Sequence, residues 1–245
     1  MRLILAVAAL ALIAAGAGLA LRGRTATHPL ITVYAAASLA DALPALAPAE
    51  TYSFGGSNAL VAQIEQGAPA DVFASANTTL PAQLHAHGLC GNPVVFTGNE
   101  LVLIVPKRNP AHVRGIRDLT SRGVSVVIAA DGVPVGDYTL AALDKLHLTA
   151  AVLKNVVSRE SDVRGVLAKV ALGEADAGFV YATDAKTAAA HLKEIGVPPR
   201  AEPKVEYGIC VVSGSSRKAA AQAFVQHVLS KSGQTTLRHY GFLPR

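Results

Sequence analysis

"FGGSNALVAQIEQGAPADVFASA", residues 54–76, sets the fold class of this chain. Thr51 to Phe54 reads as a short β-strand, and Gly55, Gly56 and Ser57 form a turn. Asn58 to Gln66 then places Leu60, Val61 and Ile64 at helical spacing, and "ADVFASA" is a short buried strand. A strand, a crossover helix and a second strand make the unit from which helix-covered parallel sheets are assembled.

The same alternation extends in both directions. Leu30 to Ala36 is a strand followed by a helix start in "SLADALPAL", and Leu80 to His87 is a helix. "ELVLIVP", 100–106, is a continuous apolar run ended by proline, as expected of a central strand. The pattern restarts with strands at 124–130, 154–158 and 177–182, and helices at 139–145, 163–171 and 185–194. It closes with a strand at 205–212 and a helix at 218–229. Two such blocks predict an α/β protein of two lobes, each a mostly parallel sheet flanked by helices. The runs at 100–106 and 205–212 are the candidates for crossing between them.

Half of the 245 residues are hydrophobic (51%) and 16% are charged, which excludes a disordered or solvating chain. The net charge of +5 carries little information about partners. Arg2, Arg22 and Arg24 fall in the first 26 residues, which hold no acid, and the remaining basic residues are scattered. A nucleic-acid partner is therefore not expected.

Arg2 precedes an unbroken apolar run from Leu3 to Leu21, with small residues at Ala15, Ala17 and Ala20. Residues 1–26 read as a cleaved signal peptide or a signal anchor, so the remainder is exported. No cysteine stands near the end of the run to take a lipid. An oxidising compartment permits a disulfide between Cys90 and Cys210, but their separation leaves buried free thiols equally open.

The strand-to-helix turns hold the chemistry, because ligands of open α/β sheets sit beyond the carboxyl ends of the strands. Ser38 lies in "AAASLADAL", Ser57 in "GGSNAL", Val135 in "DGVPVGDYT", Val163 in "SRESDVRGVL", and Tyr181 in "GFVYATDA". Singly, Ser38, Ser57 and Asp162 are ordinary helix caps, and Tyr181 an ordinary core tyrosine. Together, several helix N-termini offer unpaired N–H groups and positive dipole density to an anion, with no formal cation. Gly55 and Gly56 let backbone approach such a guest closely.

Motifs of several enzyme classes are missing: no G-x-S-x-G, no G-x-x-x-x-G-K-[ST], no G-x-G-x-x-G and no H-E-x-x-H. The eight histidines show no ligand spacing beyond His85-x-His87.

From about Ile31 onward the sequence resembles the periplasmic molybdate-binding proteins of ABC importers. The blocks that carry the resemblance are "ITVYAAASLADAL", "SFGGSNALVAQIEQGAPADVFASA", "NELVLIVP", "VPVGDY", "SDVRGVLAKVALGEADAGFVYATDA", "KVEYGICVV" and "RHYGFLPR". The resemblance implies the type II two-lobed binding-protein fold. Lobe 1 would run over 27–106, lobe 2 over 107–204, and 205–245 would return to lobe 1. It also implies a molybdate site made by Ser38, Ser57 and Tyr181 through hydroxyls and by Val135 and Val163 through backbone N–H. Tungstate would be a second guest, an inner-membrane ABC permease the partner, and the protein a periplasmic monomer with no cofactor, no metal beyond molybdenum as oxyanion, and no catalysis.

The chain departs from the family in its second turn, where one serine stands between Gly55–Gly56 and Asn58, and in the short loop before Val135. None of the five positions is acidic, so the proton of hydrogen phosphate would find no acceptor there. The competing readings are a carrier for another oxyanion such as sulfate, or a secreted hydrolase with Ser38 or Ser57 as nucleophile. A sensing domain of a transcription factor would need a helix-turn-helix, which the chain lacks.

Overall fold

The structure, a computed structural model, describes residues 29–245. The expected export segment over 1–26 lies outside the described residues.

Two five-stranded sheets form the two lobes. The first contains β1 (Thr32–Ala36), β2 (Thr51–Gly55), β3 (Val72–Ser75), β4 (Val94–Asn99) and the distant β10 (Val205–Val211), in the order β2-β1-β3-β10-β4. The second contains β5 (Leu101–Pro106), β6 (Val126–Ala129), β7 (Val156–Glu160), β8 (Ala177–Tyr181) and β9 (Leu192–Gly196), in the order β7-β6-β8-β5-β9. The two orders are the same pattern. In each sheet the fourth strand is the one that has just arrived from the other lobe.

Four of the five strands in each sheet run the same way, as expected of mostly parallel sheets, and one expectation is corrected. The sheets are mixed: β1 pairs parallel with β2 and β3, and β6 with β7 and β8. The arriving strands β10 and β5 pair antiparallel on both sides. A strand that enters directly, without a crossover helix, is free to run antiparallel. The correction is the place of 101–106, assigned from sequence to the opening segment of lobe 1. It hydrogen-bonds to β8 and β9 of the second sheet, so the chain crosses at Asn99 and Glu100.

The helices follow from apolar spacing. On α6 (Val163–Ala171), Val163, Val166, Leu167 and Val170 recur at i, i+3, i+4 and i+7 and are all buried against the second sheet. α2 (Ser57–Glu65) buries Leu60, Val61 and Ile64 in a smaller cluster with Phe73, Leu84 of α3 (Thr79–Ala86), Cys90 and Cys210. The sheets' inner strands are apolar on both faces because helices cover both.

α4 (Pro134–Lys145) starts five residues before the expected helix, since Pro134 at the first helical position needs no N–H partner. The helix expected at 185–194 is instead α7 (Ala182–Thr187) followed by β9, which completes the second sheet beside β5. β4, the short α5 (Thr149–Leu153) and the C-terminal α9 (Lys231–His239) had no counterpart in the sequence pattern. α9 and α8 (Lys218–Leu229) pack on the first lobe, against α1 (Ala42–Leu46) and β10 respectively.

Cys90 and Cys210 form a disulfide, with Cα atoms 6.1 Å apart. Of the two alternatives left by the sequence, the bridge is the one found.

Candidate functional site

A cleft opens between the lobes where the strands end and the helices begin. Ser38, Ser57, Val135, Val163 and Tyr181 all line it, together with Gly55, Gly56, Ala76, Pro134 and Asp162. The five residues expected from their turns are therefore brought together, although they are spread over 144 positions of chain.

Each is placed by a local rule. Ser38 sits in a short 3-10 turn (Ala37–Leu39) directly after β1. Ser57 is the first residue of α2, Val135 the second of α4, and Val163 the first of α6. Tyr181 ends β8 and precedes α7. Backbone N–H groups in a first helical turn have no intrahelical acceptor, so α2, α4 and α6 point donors and positive dipole ends at one space. α4 can seat its N-terminus there because residue 136 is glycine. A Cβ at Gly136 would lie 2.7 Å from the Ala130 carbonyl oxygen and 2.8 Å from that of Ala129.

The serines do not cap their helices. Neither makes a side-chain cap hydrogen bond, and the N-cap of α2 is Gly56. Ser57 Oγ accepts the backbone N–H of Ala76 at 3.1 Å. Ser38 Oγ lies 2.8 Å from the Tyr207 hydroxyl. Asp162, by contrast, is a true cap: its Oδ1 accepts the N–H groups of Arg164 and Gly165 at 2.8 and 3.1 Å. The one carboxylate that lines the cavity among the described residues is thus turned onto its own helix.

Tyr181 is wholly buried, and its hydroxyl has no hydrogen-bond partner among the described residues. Burial pushes its pKa, and that of Tyr207, well above the ordinary phenol value, so both rings keep their protons. Among the described residues, no lysine, arginine or histidine lines the cavity. The site is a small space faced by neutral donors. Neither serine has histidine or carboxylate as its hydrogen-bond partner, so neither is arranged as an activated nucleophile.

Sequence reasoning missed the support around this space. Asn99 Nδ2 donates to Thr183 Oγ1 at 2.9 Å and to the Tyr207 hydroxyl at 3.3 Å. Arg164 reaches across the cleft to the Asp41 carboxylate of the first lobe. Its Nε stands 2.9 Å from Oδ1 of Asp184, a fully buried residue of its own lobe. Burial pushes the Asp184 carboxyl up to about 7, against the opposing pull of Arg164. Asn99 sits at the first crossing between the lobes, and Tyr207 lies in β10, the strand that receives the chain on its return.

Nothing in the site suggests a resident metal. Among the described residues, no group of three or more His, Cys, Asp or Glu side chains is arranged to hold one. His85 and His87 turn to different partners, the Cys90 carbonyl and Glu65.

Residues 31–243 match the family model described as bacterial extracellular solute-binding protein. The chain is 36% identical over 224 residues to the molybdate-binding protein ModA of Mycobacterium bovis, covering 86% of this chain and 84% of that protein. It is 36% identical over 250 residues to the molybdate-binding protein ModA of Haemophilus influenzae, covering 95% of each. Among solved structures, the periplasmic molybdate-binding protein of Azotobacter vinelandii superposes with a TM-score of 0.76 at 24% identity, over 88% of this chain and all of that one.

Proposed function

The chain belongs to the bacterial extracellular solute-binding protein family, and from that premise we propose that it captures molybdate outside the cytoplasmic membrane for an ABC importer. Its relatives of 36% identity carry the name of molybdate-binding proteins, which supports the choice of guest. The observation that carries the reading is the Tyr181 hydroxyl, buried and unpaired at a cavity faced by three helix N-termini. A buried donor without a partner costs about 1–3 kcal/mol, which an acceptor-rich guest recovers.

The guest is a compact, fully deprotonated tetrahedral dianion. Ser38, Ser57 and Tyr181 give O–H donors, and Val135 and Val163 give backbone N–H. A dianion held by neutral donors binds reversibly, as a carrier requires, and no group at the cavity is set up for attack on a substrate. Tungstate, of the same charge and shape, binds alongside molybdate. An inner-membrane ABC permease receives the cargo, the carrier acts as a monomer, and residues 1–26 direct its export. Among the described residues no helix is long and apolar enough to cross a membrane.

Titration of the purified protein with molybdate, tungstate, sulfate and hydrogen phosphate tests this reading. Tight, saturable binding of the first two and weak binding of the others is expected. Tyr181→Phe gives a clean variant, because it removes a hydroxyl that makes no hydrogen bond among the described residues. It is expected to weaken molybdate binding roughly tenfold or more, the worth of a hydrogen bond to a charged partner, with the melting temperature unchanged. A preference for sulfate, or turnover of ester substrates, would overturn the assignment.

A further inference from the structure

The hydrogen bonds behind Ser38 have a direction, and it can be traced from a group that has no choice. The backbone N–H of Glu100 can only donate, and it donates to Asn99 Oδ1 at 2.9 Å. That fixes the Asn99 amide, so its Nδ2 faces the other way. One of its protons goes to Thr183 Oγ1 and the other to the Tyr207 hydroxyl oxygen. Tyr207 is fully buried and makes one further contact through its hydroxyl, with Ser38 Oγ at 2.8 Å. Were Ser38 to donate to Tyr207, the phenol would receive two protons and have no acceptor for its own. A buried unpaired donor is disfavoured, so Tyr207 donates to Ser38. The Ser38 proton is then left for whatever occupies the cavity.

We propose that Tyr207 is a positioning and specificity-determining residue, which holds Ser38 as a donor and thereby selects fully deprotonated oxyanions over protonated ones. The proposal rests on the reading of the cleft as an oxyanion site. A guest that turns an O–H toward Ser38 can still meet the second lone pair of the serine oxygen, but it leaves the serine proton, which Tyr207 cannot accept, without a partner. A guest that presents a bare oxygen satisfies it. The relay starts at the Asn99–Glu100 crossing and passes through Tyr207 on β10, so the same bonds tie Ser38 to a connection between the lobes and, through Thr183, to the second lobe.

Tyr207→Phe removes the hydroxyl and keeps the ring, whose edge-on contacts with Phe96, Tyr181 and Phe242 hold it in place. Affinities for molybdate and for hydrogen phosphate would be measured for the wild type, Tyr207→Phe, Ser38→Ala and the double variant. Molybdate binding is expected to weaken roughly tenfold in Tyr207→Phe, and Ser38→Ala is expected to add little in that background. Hydrogen phosphate should lose less than molybdate, or gain, because the Ser38 hydroxyl is no longer held with its proton toward the cavity, so the ratio of the two affinities falls. Asn99→Ala should act in the same direction with a smaller effect, because the phenol is then free to accept from Ser38.

A folded Tyr207→Phe that keeps wild-type affinity and the wild-type ratio would overturn the proposal. So would losses from Tyr207→Phe and Ser38→Ala that simply multiply. Failure of the wild type itself to bind any of these anions would instead remove the reading of the cleft, and this proposal with it.

Discussion

Gly56 of the first lobe lies so close to Ser161 of the second that a Cβ at residue 56 would stand 2.3 Å from the Ser161 carbonyl oxygen. The backbone at Gly56 does not itself call for glycine, since φ is −61° and ψ 130°, a region open to every residue. The requirement is for space between the lobes. Gly56 also precedes Ser57, so the contact and the Ser57 hydroxyl that lines the cavity share one turn.

Gly56→Ala is therefore expected to oppose approach of the two lobes, with a smaller strain inside the first lobe, where the Asn58 side chain must also give way. Overpacking of this kind costs about 1–3 kcal/mol, which would appear as a loss of roughly tenfold to a hundredfold in molybdate affinity. The melting temperature of the unliganded protein should fall less than the affinity does, because lobes that move apart relieve the contact with Ser161. Small-angle scattering checks the mechanism: the wild type should compact at saturating molybdate and the variant should need far more anion to do so. Equal affinity in both proteins would mean that the turn yields easily.

The ion pair between Arg164 and Asp41 is a second bridge between the lobes, one residue beyond Val163. Both side chains keep some exposure, so the pair is worth up to about 1 kcal/mol. Asp41→Asn is expected to raise the molybdate dissociation rate by roughly fivefold or less, leaving the association rate nearly intact. Added salt should weaken binding by the wild type and have less effect on the variant, since screening acts on the pair that the variant lacks. Stopped-flow measurements at low and high salt separate this from a general loss of fold.

The contrast between Ser38 and its support explains what was legible in the sequence. The clustering of Ser38, Ser57, Val135, Val163 and Tyr181 could be read because each stands at a strand-to-helix turn, and the fold class brings such turns to one edge. Tyr207 could not, because its bond to Ser38 spans 169 positions and nothing local marks a strand tyrosine as polar in role. Arg164 and Asp41 are 123 positions apart and each looks like a solvated charge. Among the elements, "AKTAAAHLKE" has the composition of a helix, yet Leu192–Gly196 pairs with β5 because the sheet edge there needs a strand. "KSGQTTLRH" is poor in helix formers, and α9 stands because Ser230 accepts the Gly233 N–H and Leu237 is buried.

Asp184 gives the fold a pH dependence of definite sign. Arg164 and, beyond it, Asp41 are the charged groups that face it, with the phenols of Tyr181 and Tyr207 nearby. Burial raises its folded pKa from 3.8 to about 7, so between these values the native state holds a proton that the unfolded chain has released. Stability from this group is complete below about pH 4 and is lost as pH rises through 7. The difference in melting temperature between the wild type and Asp184→Asn should therefore shift against the wild type from pH 4 to 7 and then level off. A difference that is flat over that range would show that Arg164 keeps Asp184 ionised throughout.

The disulfide joins the two separate pieces of the first lobe. Cys90 precedes β4, Cys210 lies in β10, and the 120-residue separation between them encloses every strand of the second sheet. Closing a loop of that size in the unfolded chain restricts it strongly, and removing a native bridge typically costs about 2–5 kcal/mol. Neither cysteine lines the cavity. Replacing both by serine is thus expected to lower stability to denaturant by an amount in that range while leaving molybdate affinity within about twofold, since a change of under half a kcal/mol is all that a distant, rigid-body effect would bring. Denaturant melts of the oxidised protein, the reduced protein and the double serine variant, each with and without molybdate, make the check. A large loss of affinity in the still-folded variant would show that the bridge also sets how the first lobe presents Ser38 and Ser57 to the cleft.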